Sequence, residues 1–324
     1  MELKKKFGPC LYVISIIVLS SYPLRHICQG VDVWDGGYNY GNFCYSGLEY
    51  MDSMWYFATY LANAVGSMLM HLPGGGTMLG MNVYTGLFVS VMAVGAYLFC
   101  TRSMKLPAGL VFAGEFLAIS LCWVPTASLY NYLTYALLLS GCMSLYHGLV
   151  AEKDWYLVLA GVALGLNVGV RFSNLAQAAL ILLVWYYAFL QKKKFVRLLR
   201  ETGLCMLGYF GALVLFLTVI AVKYGLPSYI EGIRRLFAMT ENATDYSVLS
   251  MLRGMVGAYL EPETIYWLKR FGLVGVILVV LCLILPKRLE KVTQVGVALV
   301  TIKFFQYLVE ALYCTLDYRT YGSI

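Results

Sequence analysis

A chain of 324 residues with 60% hydrophobic and only 13% charged side chains cannot clothe a water-facing surface, for which soluble domains use about 25% charged residues. With a mean hydropathy of +0.73 and repeated apolar runs of about 20 residues, the solvent it demands is a lipid bilayer, and a soluble globular domain is excluded. The net charge of +7 does not point to nucleic acid, because the basic residues gather in short loops beside the apolar runs, where they orient membrane helices.

The first apolar run, 7–24, follows Lys4, Lys5 and Lys6 as in a signal peptide, yet "SYPLRH" offers no small-x-small cleavage site, so it reads as a retained helix. Next comes "VDVWDGGYNYGNFCYSGLEYMD" (31–52), with Asp32, Asp35, Glu49 and Asp52, no basic residue, and Trp34, Tyr38, Tyr40, Phe43, Tyr45 and Tyr50 among them. One reading is a binding segment; the other is an interfacial aromatic belt with solvated acids. Cys28 and Cys44 could pair in an oxidising compartment. In 54–72, Thr59, Asn63, Ser67 and His71 recur every four residues and make one polar helical stripe. Such a helix suits the membrane interface or the wall of a wet cavity, the alternative being a slightly polar spanning helix. "LPGGGT" then breaks the chain.

Further apolar runs fall at 79–100, 107–124, 127–149, 155–170, 172–190, 203–222, 267–285 and 292–313. Glu115 lies in mid-span, where a carboxyl faces the protein interior or a cavity, with Asn131 or Asn167 as partner or with its own proton. Gly161, Gly165 and Gly169 have the small-xxx-small spacing that lets helices approach closely. Arg171, in "GVRFSN", is either a phosphate or carboxylate binder or an interface anchor. In the 223–266 loop, Pro227 followed by Ser228 and Glu231 predicts a capping box. Its helix would carry Ile230, Ile233, Leu236 and Phe237 on the apolar side, with Arg234 and Arg235 as candidate phosphate contacts or ordinary solvated charges. "NAT" (242–244) is a glycosylation sequon, and Lys303 and Glu310 share a face of the last run. No P-loop, GxSxG, HExxH or Rossmann fingerprint occurs in a plausible context, and His26, His71 and His147 lack metal-ligand spacing.

Charge decides the expected topology. If 54–72 does not cross, the N-terminus and the clusters at 101–105, 152–154, 191–200 and 286–291 share one side and hold 14 of the 24 Lys and Arg; if it crosses, the N-terminal lysines are stranded opposite the rest. Basic residues mark the cytoplasm. The expected fold is therefore all-α: one integral membrane domain over 1–324, about nine spanning helices, an outer interfacial helix within a first outer loop at 25–78, and a second large outer loop at 223–266.

That arrangement, a span followed by a long acidic outer loop and an interfacial helix, resembles the start of the GT-C-type glycosyltransferases, which include protein O-mannosyltransferases and lipid A aminoarabinose transferases. The resemblance covers roughly residues 1–285, mostly as topology. "DGGYNYGNF" (35–43) occupies the place of the family's D-E-x-Y-like motif, and "GVRFSN" (169–174) is similar to its small-residue helix ending in Arg and small polar residues. It implies a membrane glycosyltransferase acting on the extracytoplasmic face of the plasma membrane, N-terminus inside. The donor would be a polyprenyl-phosphate sugar, with no fixed cofactor and a divalent metal left open. Asp35, with Asp32, would supply the catalytic carboxylate; Arg171, Arg234, Arg235, Trp34, Tyr38 and Asn39 would contact substrate. The sequence departs from the family at Gly36, where a second acidic residue is expected. It also stops at "TYGSI", where many members carry more helices or a soluble domain, as a fragment or short variant would. A transporter or flippase for a lipid-linked or small polar solute, and a non-catalytic envelope-assembly scaffold, are the alternatives.

Overall fold

The structure, a computed structural model, describes residues 2–30, 35–46, 53–121 and 129–238, together with scattered helical positions between 253 and 280. The runs at 267–285 and 292–313, the sequon, Lys303 and Glu310 otherwise lie outside the described residues. Every regular element described is helical. The chain divides into two compact units, Met1–Leu236 and Phe237–Ile324.

The α-helices that begin in the first unit are α1 (Glu2–Ser21), α2 (Asp35–Cys44), α3 (Ser53–Ala58), α4 (Tyr60–Met70), α5 (Met78–Leu98), α6 (Ala108–Leu121), α7 (Leu129–Val150), α8 (Asp154–Val170), α9 (Leu182–Leu190), α10 (Phe195–Tyr224) and α11 (Leu226–Ala238). A 3-10 helix, Phe172–Ile181, leads into α9. Among the described residues four segments are long and apolar enough to cross a membrane: Met78–Ser103, Tyr130–Val150, Phe172–Leu190 and Phe195–Tyr224. The remaining apolar helices are shorter. The 17 residues of α8 reach about 25 Å at 1.5 Å per residue, against a hydrocarbon core of about 30 Å.

The seam between α8 and α10 sets the architecture. A Cβ added at Gly161 would lie 1.9 Å from the Cys205 carbonyl oxygen, at Gly165 2.5 Å from that of Tyr209, at Gly169 2.8 Å from the Phe216 ring, and at Gly208 2.1 Å from the Val158 carbonyl oxygen. The spacing read as a packing signal is therefore a place where two backbones touch. Because 161 meets 205 and 169 meets 216, the two helices run parallel, and 172–190 must carry the chain back between them. On the other flank α7 is antiparallel to α8, with Gly148 against Leu157 and Gly141 against Leu164.

These contacts sort the unit into two ends. At one end Ser103 and His147 approach to 3.5 Å, Arg197 pairs with Glu152 at 2.8 Å and Arg200 pairs with Asp154. Glu201, only 3% exposed, receives Lys193 Nζ at 2.8 Å and Arg197 Nε at 2.9 Å. The "QKKKFVRLLR" cluster is thus partly consumed by internal ion pairs. Losing one partner of such a buried pair typically costs about 3–5 kcal/mol, because the other charge stays behind.

At the opposite end, Asn82 Nδ2 on α5 donates to the carbonyls of Ile27 (3.0 Å) and Gln29 (2.8 Å), and Ser90 Oγ donates to Ser20 O at 2.7 Å. Near the first end, Arg102 donates to Tyr12 Oη at 2.9 Å. So α1 and α5 are antiparallel, and residues 25–78 start and finish at the same end of the unit. Thr77 caps α5 by accepting from Gly80 N at 3.1 Å, after a turn in which Gly74 has φ +74°. Within this segment α4, at 11 residues, is about 16 Å long, too short to cross a bilayer.

Gly161→Leu or Gly208→Leu is expected to force α8 and α10 apart and abolish the monodisperse, thermally cooperative protein in detergent. A Cβ at Gly211 meets nothing within 4 Å, so Gly211→Ala is expected to leave stability unchanged or raise it by up to about 1 kcal/mol through helix propensity.

Candidate functional site

Within the segment 25–78, the described part of the acidic, aromatic stretch is 35–46, which contains α2. Asp32 and Trp34 lie outside the described residues. Asp35 is the first residue of α2, and its side chain also lies outside them. Along α2, Tyr38 is 45% exposed whereas Asn39 is 5% exposed. Of these two expected substrate contacts only Tyr38 is open to a ligand, because α2 turns Asn39 inward with Asn42 and Phe43. Phe43 anchors α2 to α4: a Cβ at Gly66 would lie 2.4 Å from its ring. Tyr40 Oη donates to Gly76 O at 2.8 Å and ties α2 to the glycine turn. Cys28 and Cys44 are both free thiols at exposed positions, so the pairing considered from sequence is not made.

The polar stripe of 59–71 forms with unequal exposure, Asn63 inside and His71 outside. Asn63 is fully buried and donates to Tyr56 O and Thr59 Oγ1, both at 3.1 Å. His71 Nδ1 reaches Ser67 O at 2.7 Å. Hydrogen bonds to nearby groups on the same segment satisfy part of the stripe, while Ala62, with Leu61 and Val65, packs on Leu133 of α7 and Val170 of α8. Thus α4 lies between α2 and the end of the bundle where α8 stops.

There α8 ends at Arg171, an exposed residue in extended conformation (φ −154°, ψ 127°), and its guanidinium lies 5.7 Å from the Tyr130 ring centroid, within cation–π range. A buried amide network supports this break. Asn174 Nδ2 donates to the Asn167 carbonyl and its Oδ1, both at 3.0 Å, and to Thr134 Oγ1 at 2.9 Å. Asn167 Nδ2 donates to Thr134 O at 3.0 Å and Gln177 Oε1 at 2.6 Å. The Asn167 carbonyl, which already accepts the Arg171 backbone N–H at 3.3 Å, thereby gains a second donor, and the chain continues as a ten-residue 3-10 helix, longer than such runs usually are. The sequence did carry this signal, as amides spaced through the apolar stretch "NVGVRFSNLAQ".

Next to α4, an aromatic cluster joins α3, α4, α10 and α11: Tyr56, Phe57, Tyr60 and Phe216, with Tyr224 and Tyr229 against them. Tyr56 Oη is hydrogen-bonded to Ser46 Oγ at 2.8 Å and to Tyr224 Oη at 2.9 Å. Burial pushes its phenol up to about 12. No local sequence pattern marks this cluster, since it joins residues 168 apart. In α11 the capping box is replaced: the helix starts at Leu226, directly after Gly225 with φ +82°, so Ser228 and Glu231 fall inside it. Tyr229 packs on Phe57 and Phe216, while Ile230 is 56% exposed. Arg234 and Arg235 are exposed, and Arg235 Nε sits 3.4 Å from Glu231 Oε1, a surface pair of little energy.

Glu115 does not meet Asn167, whose amide is held by Gln177 and Thr134; it lines a cavity between α5, α6 and α7 instead. Among the described residues no three His, Cys, Asp or Glu side chains converge as a metal site. Compared with known proteins, the chain matches no family model and no curated sequence.

Tyr56→Phe is expected to cost about 1–2 kcal/mol at neutral pH, since both hydroxyl partners are left short. The folded-state value lies above the ordinary 10, so the hydroxyl's contribution is complete below pH 10 and fades as pH rises towards about 12. Denaturation midpoints of the two proteins should therefore converge over that window; a constant gap would contradict the hydrogen-bonded, buried phenol.

Proposed function

We propose that the protein is a membrane glycosyltransferase of GT-C type, moving a sugar from a polyprenyl phosphate to an acceptor hydroxyl. The observation that carries this reading is the wedge of α4. It packs against α2, whose first residue is Asp35, and against the helix end that presents the exposed Arg171. An acid-bearing segment and a cation near a broken helix are what the chemistry needs at a membrane surface.

In this reading the Asp35 carboxylate, with Asp32 nearby in sequence, takes the proton from the acceptor hydroxyl as its oxygen attacks the anomeric carbon. The bond from that carbon to the carrier phosphate breaks, and the phosphate leaves with the electron pair. A base within hydrogen-bond reach contributes about 10²–10⁴-fold, and a cation at the departing phosphate stabilises charge that grows in the transition state. Arg171, with Arg234 as a second exposed cation, fits the latter role, and the exposed ring of Tyr38 offers a flat face to a sugar. Asn39, being buried, acts only through packing. The membrane frame belongs to the same proposal: α1, α5, α6, α7, α8, 172–190 and α10 cross in alternation. Two further crossings would follow after residue 266. The N-terminus and the Glu201 end lie in the cytoplasm, and the Arg171 end lies on the outer face of the plasma membrane.

The test is transfer from labelled polyprenyl-phosphate hexoses to mixed acceptors by the purified protein in liposomes. Asp35→Asn is expected to lower turnover at least about 100-fold, and Arg171→Ala about 10- to 100-fold, each with an unchanged unfolding profile. Turnover unaffected by Asp35→Asn would remove that residue from the mechanism. No turnover with any donor by the folded protein would leave the transporter or scaffold.

A further inference from the structure

The cavity at Glu115 lies apart from the residues assigned above. It measures about 430 Å³ and is walled by Pro23 after α1, by Thr85, Val89 and Met92 of α5, by Ala118 of α6, and by Leu138 and Cys142 of α7. That volume lies in the range of small-molecule sites, which are mostly apolar with a few placed polar groups. The polar groups here are few: the Glu115 carboxyl, the Thr85 hydroxyl and the phenols of Tyr132 and Tyr135. Thr85 Oγ1 is already committed to Met81 O at 2.9 Å. Among the described residues no hydrogen bond or ion pair reaches Glu115. Ala118 and Tyr135 are exposed, so the cavity opens on the flank of the bundle, where lipid would lie.

A carboxyl in the middle of an apolar helix is costly unless something answers it. Here the bundle supplies a cavity instead of a partner. A ligand entering from the flank must have an apolar body, to match the aliphatic walls, and a donor head, to meet the carboxyl. A protonated amine satisfies the site better than a neutral hydroxyl. Its bond to a carboxylate is charge-assisted and about twice as strong as a neutral one, and the aromatic rings of Tyr132 and Tyr135 attract a cation.

We infer that the cavity between α5, α6 and α7 is a binding site for a lipid-soluble amine, with Glu115 as the counter-ion of its ammonium group. The site goes beyond the proposed sugar transfer and stands whether or not that activity is found.

The probes are three dodecyl chains carrying a diazirine and a radiolabel, ending in a primary amine, an alcohol or a carboxylate. The full-length protein in neutral lipid nanodiscs is photolysed with each, and labelled peptides are mapped by mass spectrometry. The amine is expected to label peptides of α5, α6 and α7, saturably, and at least tenfold more than the alcohol or the carboxylate. Glu115→Gln keeps the side chain's shape and should cut amine labelling at least tenfold while leaving the alcohol's unchanged. Ala118→Trp narrows the cavity from an exposed position and should reduce labelling with Glu115 intact. Should Glu115→Gln unfold the protein, as judged by its elution and thermal midpoint, the Ala118→Trp and three-headgroup comparisons still decide. Equal labelling by amine and alcohol, amine labelling that survives Glu115→Gln in a folded protein, or labelling spread evenly over lipid-facing helices would overturn the assignment.

Discussion

The constraint on which this structure depends is the contact of two backbones along the α8–α10 seam. Gly161, Gly165 and Gly208 leave no room for a Cβ against the facing carbonyls, so the helices approach more closely than any pair of side chains would permit. In a lipid-like surrounding, where apolar association has little hydrophobic drive, this closeness and the dispersion it brings hold helices together. The parallel direction of the pair then demands an intervening return pass, and the passage 172–190 supplies it. The abrupt end of α8 and the amides that brace the turn after it accompany that return. The later turns of α10 bring Phe216, Ile220 and Tyr224 to the aromatic cluster.

The segment between α1 and α5 is fastened to this frame by contacts of three kinds. Asn82 holds the chain just after α1, Phe43 fills the space left by Gly66, and Tyr56 joins Ser46 to Tyr224. Each fastening uses residues far apart in sequence. Together they keep α2, α3 and α4 packed at the end of the bundle where α8 stops, with α4 between α2 and α8. The opposite end has a different physical character, with Glu201 buried beneath Lys193 and Arg197.

The parts of this fold that could be read from sequence are those encoded by local period or composition. Among the described residues the apolar runs became helices, most of them close to their expected limits, and the Gly161, Gly165, Gly169 spacing became a packing seam. Long-range partners were not readable. The burial of Asn63 within its polar stripe could not be read, because its bonds to Tyr56 and Thr59 do not show in a hydropathy pattern. The capping box at Ser228 lost to Gly225, whose positive φ ends α10 and starts α11 in one residue. The basic cluster at 191–200 could be read only as a topology marker, because two of its partners, Glu152 and Asp154, come from a different part of the chain. Among the candidate site residues, Arg171 was marked by its position after a glycine-rich helix, whereas no local pattern marked the burial of Asn39.

The central claim, that residues 25–78 stay on one side of the membrane and bring α2 to the end of the bundle carrying Arg171, has a direct measurement. Single-cysteine chains keep either the native, exposed Cys44, or carry Gly76→Cys or Met104→Cys, with the other cysteines replaced by serine. Intact cells are treated with a membrane-impermeant thiol reagent, and permeabilised cells serve as the reference. Cys44 and the position-76 thiol should both react on intact cells, and the position-104 thiol only after permeabilisation. Reaction of Cys44 and the position-76 thiol from opposite sides would make 53–70 a true crossing and contradict the account.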